Sequence, residues 1–486
     1  MNHENYDIQF EEWLLEQSKP TTSSLPTKGF IGDRHYRHFD ARVQLSELES
    51  NQAEKLKNEL RRPNKLSTHA FYPFVRKDKK VRRYVQNVDT TTLEKGIEIK
   101  QKNRPIMYAS HRDAVIFGFY GWMLKSVYNK RLVDEDVTNS VIAYRKIPRN
   151  DGSGKNKSNI DFANDIFRAV GNHEKAAIMC LDVSNFFGTM SHKKLETAWK
   201  DLLNVDSLPI GHRTVFRNIT RYRYIFVNDV LVALNLGSVV KGKFEYKKSV
   251  RSIDRSGPLT KTSRIYNSHI KKLKEIKINS SPRGIPQGSP ISDVLANMYL
   301  LDFDKAMASY VDSNNMGLYR RYSDDILLIL PIDQIEKVYK DIKSRFKLLD
   351  LKINESKTEL FILDRAKNVL KDSTSLIVKD YVKNKTAVQY LGFEFDLRDI
   401  NIRSGTVANY YRKFIRSLKR NDQDDKDPYI VISPKDSSMI RSRKQRDRYG
   451  YIKTAGKRIG SDRLKSQFSN VRKRTARLRR KSKQVK

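Results

Sequence analysis

The stretch RRYSDDILLIL, Arg320–Leu330, sets two adjacent carboxylates, Asp324 and Asp325, against a run of apolar residues. Successive side chains of a strand point to opposite faces, so neighbouring acids share one side only if a turn carries them round. A turn at residues 323–325 meets that need, with DILLIL pairing back on GLYRRY as a hairpin that buries its apolar side chains. Carboxylates crowded together without a counter-ion repel, and at least one pKa rises. A divalent cation removes that penalty, and oxygen-only ligands suit Mg²⁺. An isolated Asp-Asp pair more often sits in a loop or caps a helix, so the surrounding sequence has to decide.

Outward from the acids, AAIMCLDVSNFF (Ala176–Phe187) is a continuous apolar strand ending in Asp182. A third carboxylate from an adjacent strand would complete a two-metal site of the kind that clamps both oxygens of an in-line phosphoryl transfer. RGIPQGSPISDVLANMYLLDFDKAM (Arg283–Met307) predicts a Gly/Pro loop entering a long apolar helix, and Asp333–Leu349 a further helix. LKINESKTELFIL and AVQYLGFEF predict a strand pair, and IFVNDVLVALNLGSVV a strand-like stretch. Toward the N-terminus, FYPFVRKDKKVRRYV predicts a basic hairpin, and Arg104–Tyr128 an extended segment running into a buried aromatic helix. Leu45–Arg62 predicts a helix stopped by Pro63, and RNDGSGKNKSN (Arg149–Asn159) a mobile loop.

The 486 residues suffice for two to four modules with their own cores. Lys plus Arg number 95 against 56 Asp plus Glu, a net charge of +39. Such an excess points to a polyanion, above all nucleic acid, although highly charged soluble, ribosomal-type or membrane-surface proteins share it. A single cysteine, Cys180 in an apolar run, excludes an internal disulfide framework and a cysteine-rich zinc site. The acidic, amphipathic first thirty residues are no secretory signal, and no apolar run approaches a membrane span. A soluble, cytoplasmic protein with no membrane partner is expected. Residues 441–486 hold 19 Lys/Arg and two acids. They suit either a solvated charged end or a helical nucleic-acid clamp with Val471 and Leu478 among its cations.

LDVSNFF, RGIPQGSPIS, YSDD, NESKTEL and YLGF follow one another in the order of the palm motifs of reverse transcriptases, and roughly residues 70–400 resemble that family. The resemblance implies an α+β right-hand polymerase fold with an antiparallel palm sheet, fingers, and a helical basic thumb and C-terminal region. It sets an N-terminal helical extension at 1–65, fingers at 66–175, a palm at 176–395 with an insertion at about 200–282, and the thumb and basic region at 396–486. Asp182, Asp324 and Asp325 correspond to the catalytic ligands of two Mg²⁺ ions. Lys357 corresponds to the lysine near the departing pyrophosphate, where it could act as a general acid, unless it is a solvated surface lysine. Phe187 matches the bulky gate under the sugar that favours deoxynucleotides, or else is a core aromatic. Gln287 and Gly288 resemble residues lining the nucleotide and template pocket, the glycine permitting close backbone approach. Arg104 resembles the fingers arginine that grips the triphosphate, with Arg76, Lys79 and Arg83 as competitors. YLGF resembles the hairpin that steadies the primer end. The partners implied are an RNA template, deoxynucleoside triphosphates and a DNA product.

Only about ninety residues, rich in Lys and Arg, follow YLGF, against the ribonuclease H domain of retroviral enzymes. There is no Cys/His cluster for a zinc endonuclease and no VTG triplet of the retron thumb. FYGWMLKSVY, VIAYRKIP and the long insertion before RGIPQG are most similar to bacterial abortive-infection and defence-associated reverse transcriptases. That branch implies an antiphage role, sometimes with a structured non-coding RNA and sometimes with protein-primed synthesis; a homo-oligomer is compatible with it. Two alternatives stand beside it: a retron or group II intron type of enzyme, and an RNA-binding, maturase-like scaffold that keeps the fold without needing catalysis. The intact acids and Phe187 speak against the scaffold.

Overall fold

The computed structural model describes residues 3–18, 36–40, 51–88, 95–247, 249, 258–260, 262–311, 317–382, 385–419 and 451–484. In chain order its strands are β1 (Phe74–Val88), β2 (Lys95–Tyr108), β3 (Lys175–Asp182), β4 (Arg223–Phe226), β5 (Gly237–Val240), β6 (Lys243–Tyr246) and β7 (Lys277–Ile278). There follow β8 (Leu318–Tyr322), β9 (Asp325–Leu330), β10 (Glu359–Asp364), β11 (Val369–Asp372), β12 (Val388–Tyr390), β13 (Phe393–Phe395) and β14 (Ile400–Ile402). The architecture is α+β with antiparallel sheets, as the sequence leads one to expect. The chain divides into two compact units that interleave along it. One draws on residues within 1–128 and 190–298, the other on residues within 129–189, 299–419 and 451–484.

The second unit is built on a five-stranded sheet in the order β11-β10-β3-β9-β8, every neighbouring pair antiparallel. β3 lies at its centre and is buried at every position after Lys175, which is why its sequence is continuously apolar rather than alternating. Ile178, Cys180, Leu327, Ile329, Phe361 and Leu363 share one core with Phe162 and Phe167 of the helix Asn159–Gly171. Burial pushes the Cys180 thiol well up and leaves it inert. Ser158 and Asp161 cap that helix reciprocally.

A three-stranded sheet, β12-β13-β14, adds Val388, Tyr390, Phe393 and Ile402 to this core, joined by Leu464 and Val471 of the C-terminal helix Asp462–Gln484. The basic end of the chain is therefore helical over the described residues, with Leu464 and Val471 turned inward. YLGF forms the β12–β13 turn, with Leu391 and Gly392 both at positive φ, +47° and +89°. The strand pair expected from LKINESKTELFIL and AVQYLGFEF is not made. β10 completes the five-stranded sheet against β3, while β12 and β13 satisfy each other's backbone.

In the first unit the sheet order is β2-β1-β4-β7. The hairpin expected within FYPFVRKDKKVRRYV is instead one unbroken strand, because nothing between Lys77 and Tyr84 supplies a turn residue beyond Asp78. Its partner is β2. The strand expected from IFVNDVLVALNLGSVV is also broken: Val227, Val230 and Leu231, at helical spacing, are buried on the helix Val227–Ala233 between β4 and β5. The long helix after RGIPQG is two, Ser292–Tyr299 and Leu301–Val311. Asp302 and Asp304 in the first turn of the second favour a fresh N-terminus. The expected helix before Pro63 spans Asn51–Arg61; its first residues, 45–50, lie outside the described residues. The loop expected to be mobile is closed on itself, Arg149 N–H donating to Lys155 O (2.9 Å) and Lys157 N–H to Ile147 O (2.7 Å).

Candidate active site

Asp182 is the last residue of β3 and Asp325 the first of β9, and the two are direct Cα partners across the ladder. Asp324 completes the two-residue loop between β8 and β9, its carbonyl accepting from Val183 N–H (3.2 Å). Ser323, the other loop residue, holds φ +61°, and its hydroxyl accepts from Tyr144 OH (3.1 Å). The acids thus come together through strand register plus a tight turn, as the sequence predicts.

β8 is fixed from behind. Tyr319 and Arg321 alternate inward, and Arg321 is fully buried. Its guanidinium forks onto the buried carboxylate of Asp304, Nε to Oδ1 at 2.7 Å and Nη2 to Oδ2, while Nη1 donates to Ser323 O (3.1 Å). Tyr319 OH donates to the same carboxylate (2.6 Å). At Gly317, with φ +155°, a Cβ would stand 1.7 Å from Ile329 O, so only glycine lets β8 start here.

The segment NESK closes the third side. Asn354 N–H donates to Asp182 O (2.8 Å), Asn354 Nδ2 to Asp182 Oδ1 (3.0 Å), and the Lys357 ammonium pairs with Asp182 Oδ2. A short 3₁₀ turn, Glu355–Lys357, brings amide and ammonium to the same carboxylate. Burial raises Asp325 to about 7, with Asp324 and Asp182 adding like charge and Lys357 countering. Asp324 is raised by burial and by Asp182 in the same way.

Phe186 and Phe187 follow Asn185, whose φ is +46°. Phe186 is buried and Phe187 half-buried, their ring centroids 5.7 Å apart, so of the two it is Phe187 that reaches the surface. The remaining expected residues gather in the other unit along β2. Met107 N–H donates to Gln287 O (2.8 Å), and Gly288, at φ +112°, would place a Cβ 2.9 Å from Met107 O. Arg104 is exposed on β2, facing Lys79 across the ladder.

Sequence reasoning missed Asn354, Arg321 and Asp304. Asn354 lies inside NESKTEL, whose lysine drew the attention. Arg321 is marked by strand alternation, two residues from Tyr319 on the inward side. Asp304 carries no signal, sitting in an amphipathic helix among other acids.

The donor chemistry of the three aspartates fits a hard divalent cation: oxygen-only ligands, two of them, Asp324 and Asp325, held above their usual range by burial and by neighbouring carboxylate charge. Among the described residues, however, no group of three or more His, Cys, Asp or Glu side chains is already arranged as a metal cage. Asn354 and Lys357 occupy both oxygens of Asp182 instead.

Residues 247–395 match the family described as "Reverse transcriptase (RNA-dependent DNA polymerase)". The match takes in Gln287, Gly288, Asp324, Asp325 and Lys357, and begins after Asp182 and Phe187. No curated protein matches the chain. Among solved structures, apo telomerase from Candida tropicalis truncated from its C-terminal domain is 12% identical with a TM-score of 0.35, covering 66% of this chain and 56% of that one. Telomerase from Candida albicans with the TWJ fragment of telomeric RNA is 14% identical with a TM-score of 0.35, covering 74% and 51%. The chain thus spans about half the length of these telomerases, and a likeness this loose assigns nothing to it.

Proposed function

We propose that the chain is an RNA-directed DNA polymerase whose catalytic centre is the Asp182–Asp324–Asp325 cluster. The observation that carries this is the register pairing of Asp182 with Asp325, with Asp324 in the turn beside them, in a chain of net charge +39. A basic protein that concentrates acids at one strand end separates the task of holding nucleic acid from that of organising a triphosphate.

In this reading a 3′-hydroxyl, or a protein hydroxyl for the first nucleotide, gives up its proton to water as its oxygen attacks the α-phosphorus of a deoxynucleoside triphosphate, the bond to the bridging oxygen breaks, and pyrophosphate leaves. The three aspartates would hold two Mg²⁺ ions, which when bound offset charge on the attacking and leaving oxygens. Lys357, kept beside Asp182, is placed to give its proton to the departing pyrophosphate, and Asn354 steadies Asp182 meanwhile. The half-buried ring of Phe187 would crowd a 2′-hydroxyl and so select deoxynucleotides. Gln287, Gly288 and Arg104 would serve the nucleotide and template. We assign fingers to 66–175, palm to 176–395 with its insertion at about 200–282, and thumb to 396–486. The resemblance to defence-associated enzymes supports a cytoplasmic antiphage role with a structured non-coding RNA as template, and synthesis primed by a protein hydroxyl.

The test is incorporation of labelled nucleotides by the purified protein with its co-purified RNA and Mg²⁺, with products separated before and after protease. DNA made by the parent and reduced by several orders of magnitude in Asp324→Asn, at unchanged RNA affinity, is the expected result. A protease-sensitive shift of that DNA would mark protein priming. Equal synthesis by Asp324→Asn would overturn the site, and no synthesis by the parent, RNA still bound, would favour the scaffold.

A further inference from the structure

VIAYRKIP, residues 141–148, begins alongside the hairpin that carries Asp324. Val141 bridges in parallel to Arg321 of β8, with Ile142 N–H donating to Arg321 O (3.0 Å) and Arg321 N–H to Ser140 O (2.8 Å). Residues 140–143 are buried along that edge. At Tyr144 the chain breaks away: φ turns to +61° and the residue comes out to 37% exposure. A bulky residue in the left-handed region is strained, and such strain persists only where its surroundings over-determine it. Arg145 supplies that restraint. Its guanidinium donates to Thr138 O, to Val141 O (2.9 Å) and to Asn129 Oδ1 (3.1 Å), tying the turn back to the residues before it.

An aromatic ring at the surface needs none of this. What the strained turn achieves is the aim of one hydroxyl: Tyr144 OH donates to Ser323 Oγ (3.1 Å), a residue 179 positions away in sequence. Ser323 is strained as well. Of the two residues in the β8–β9 loop it alone holds a positive φ, +61°, where glycine would sit without cost. Serine brings a hydroxyl that glycine lacks. That hydroxyl belongs to a buried residue and hydrogen-bonds the Asp324 carboxylate. Burial raises the pKa of Asp324, and the bond from Ser323 draws it back. The groups form a directed chain from tyrosine to serine to aspartate, each hydroxyl donating to the next group. A hydroxyl that accepts while it donates is polarised by both bonds.

We propose that Tyr144 is a positioning residue: it locks the Ser323 hydroxyl and, through it, the Asp324 carboxylate in the orientation that the reaction uses. The backbone contacts do not reach that far. Arg321 Nη1 holds Ser323 O and Val183 N–H holds Asp324 O, which fixes the peptide groups of the loop but not the Ser323 hydroxyl. The lock rests on the polymerase reading, since the orientation of Asp324 matters to the reaction only if its carboxylate serves there.

The test compares the full chain with Tyr144→Phe, Ser323→Ala and the double variant. Tyr144→Phe keeps the ring and the backbone and removes one oxygen. Hydrogen exchange comes first, without RNA, nucleotide or divalent ion. The amides of the β8–β9 loop and of Val183 should exchange about fivefold faster in Tyr144→Phe, the order of one net hydrogen bond, while Tm stays near the parent's. In incorporation of labelled deoxynucleotides, kcat should then fall about fivefold at unchanged KM for the triphosphate. A misdirected carboxylate weakens the transition state and leaves ground-state binding alone. Ser323→Ala should lose at least as much, and adding Tyr144→Phe to it should change nothing further, because the link is already cut.

Exchange at the parent's rate in Tyr144→Phe overturns the proposal. A raised KM at unchanged kcat does so too, by making the ring a nucleotide contact. Losses that add in the double variant would make the two residues independent and the chain of hydroxyls idle. Exchange needs no catalysis, so the two readings fail separately. A parent that makes no DNA defeats the polymerase and leaves the lock to be judged by exchange, whereas an active parent matched in rate by Tyr144→Phe defeats the lock alone.

Discussion

At Asp325, burial and two neighbouring carboxylates raise the pKa to about 7 from an ordinary 3.8. The folded chain therefore keeps a proton there that the unfolded chain has already released, and stability falls as pH rises from about 4 to about 7. Asp325→Asn removes the repulsion without changing shape. In divalent-free buffer at pH 8 the variant should melt several degrees above the parent, the gap closing toward pH 4, while incorporation disappears. Equal melting at pH 8 would mean that the acids do not burden the apo fold. Phe187→Ala, on the proposed reading, should lower discrimination against ribonucleotides at least tenfold in competing incorporation assays, at a stability cost of about 1 kcal/mol as Phe186 is deprived of its neighbouring ring. Unchanged discrimination would make the ring mere packing. The acids could be found in the sequence because Asp182 closes one apolar strand and Asp324–Asp325 open another, so that a turn and a strand register suffice to gather them. Asn354 could not, because its role depends on which backbone lies beside Asp182, and that is fixed by the antiparallel bridge of Val183 to Ile353.

The elements read best where burial left no ambiguity. β3 and β9 are apolar at nearly every position because both faces are covered, so their strand character, and the pairing of β9 with β8, followed from sequence. The helix Val227–Ala233 and the unbroken β1 were misread because short apolar or basic runs carry no decisive period, and long-range partners chose for them. Arg321 shows how such partners act. Its buried pair with Asp304 ties β8 to the helix Leu301–Val311, and its remaining donor holds the turn that carries Asp324. Arg321→Leu would leave Asp304 buried without a counter-ion and should cost about 3–5 kcal/mol in denaturant unfolding. Arg321→Leu/Asp304→Leu should recover most of that stability, because the uncompensated charge is gone. Its nucleotide incorporation should stay below the parent's, since Ser323 O then has no guanidinium donor. A double variant with full incorporation would reduce the pair to packing alone.

For the molecule as a whole, the charge of +39 was legible from composition, but its distribution was not, because only register and helix packing show which cations share a face. An excess this large also acts on the compact state itself, which it destabilises through self-repulsion across distances longer than any one ion pair. The Debye length falls from about 10 Å at 0.1 M salt to about 3 Å at 1 M, so salt should relieve that repulsion while weakening surface pairs such as Lys340–Glu336. Those pairs are exposed and each contributes little, so relief should win. Nuclease-treated protein should therefore rise several degrees in Tm between about 0.05 and about 0.5 M KCl. RNA added at low salt should give a comparable rise, both by neutralising the same charge and by binding the folded state preferentially. The two effects should not add, because salt that screens the cations also releases the RNA. A Tm that falls with salt would show that local ion pairs, rather than the net charge, govern stability, and that the cations are placed for the fold rather than for a polyanion.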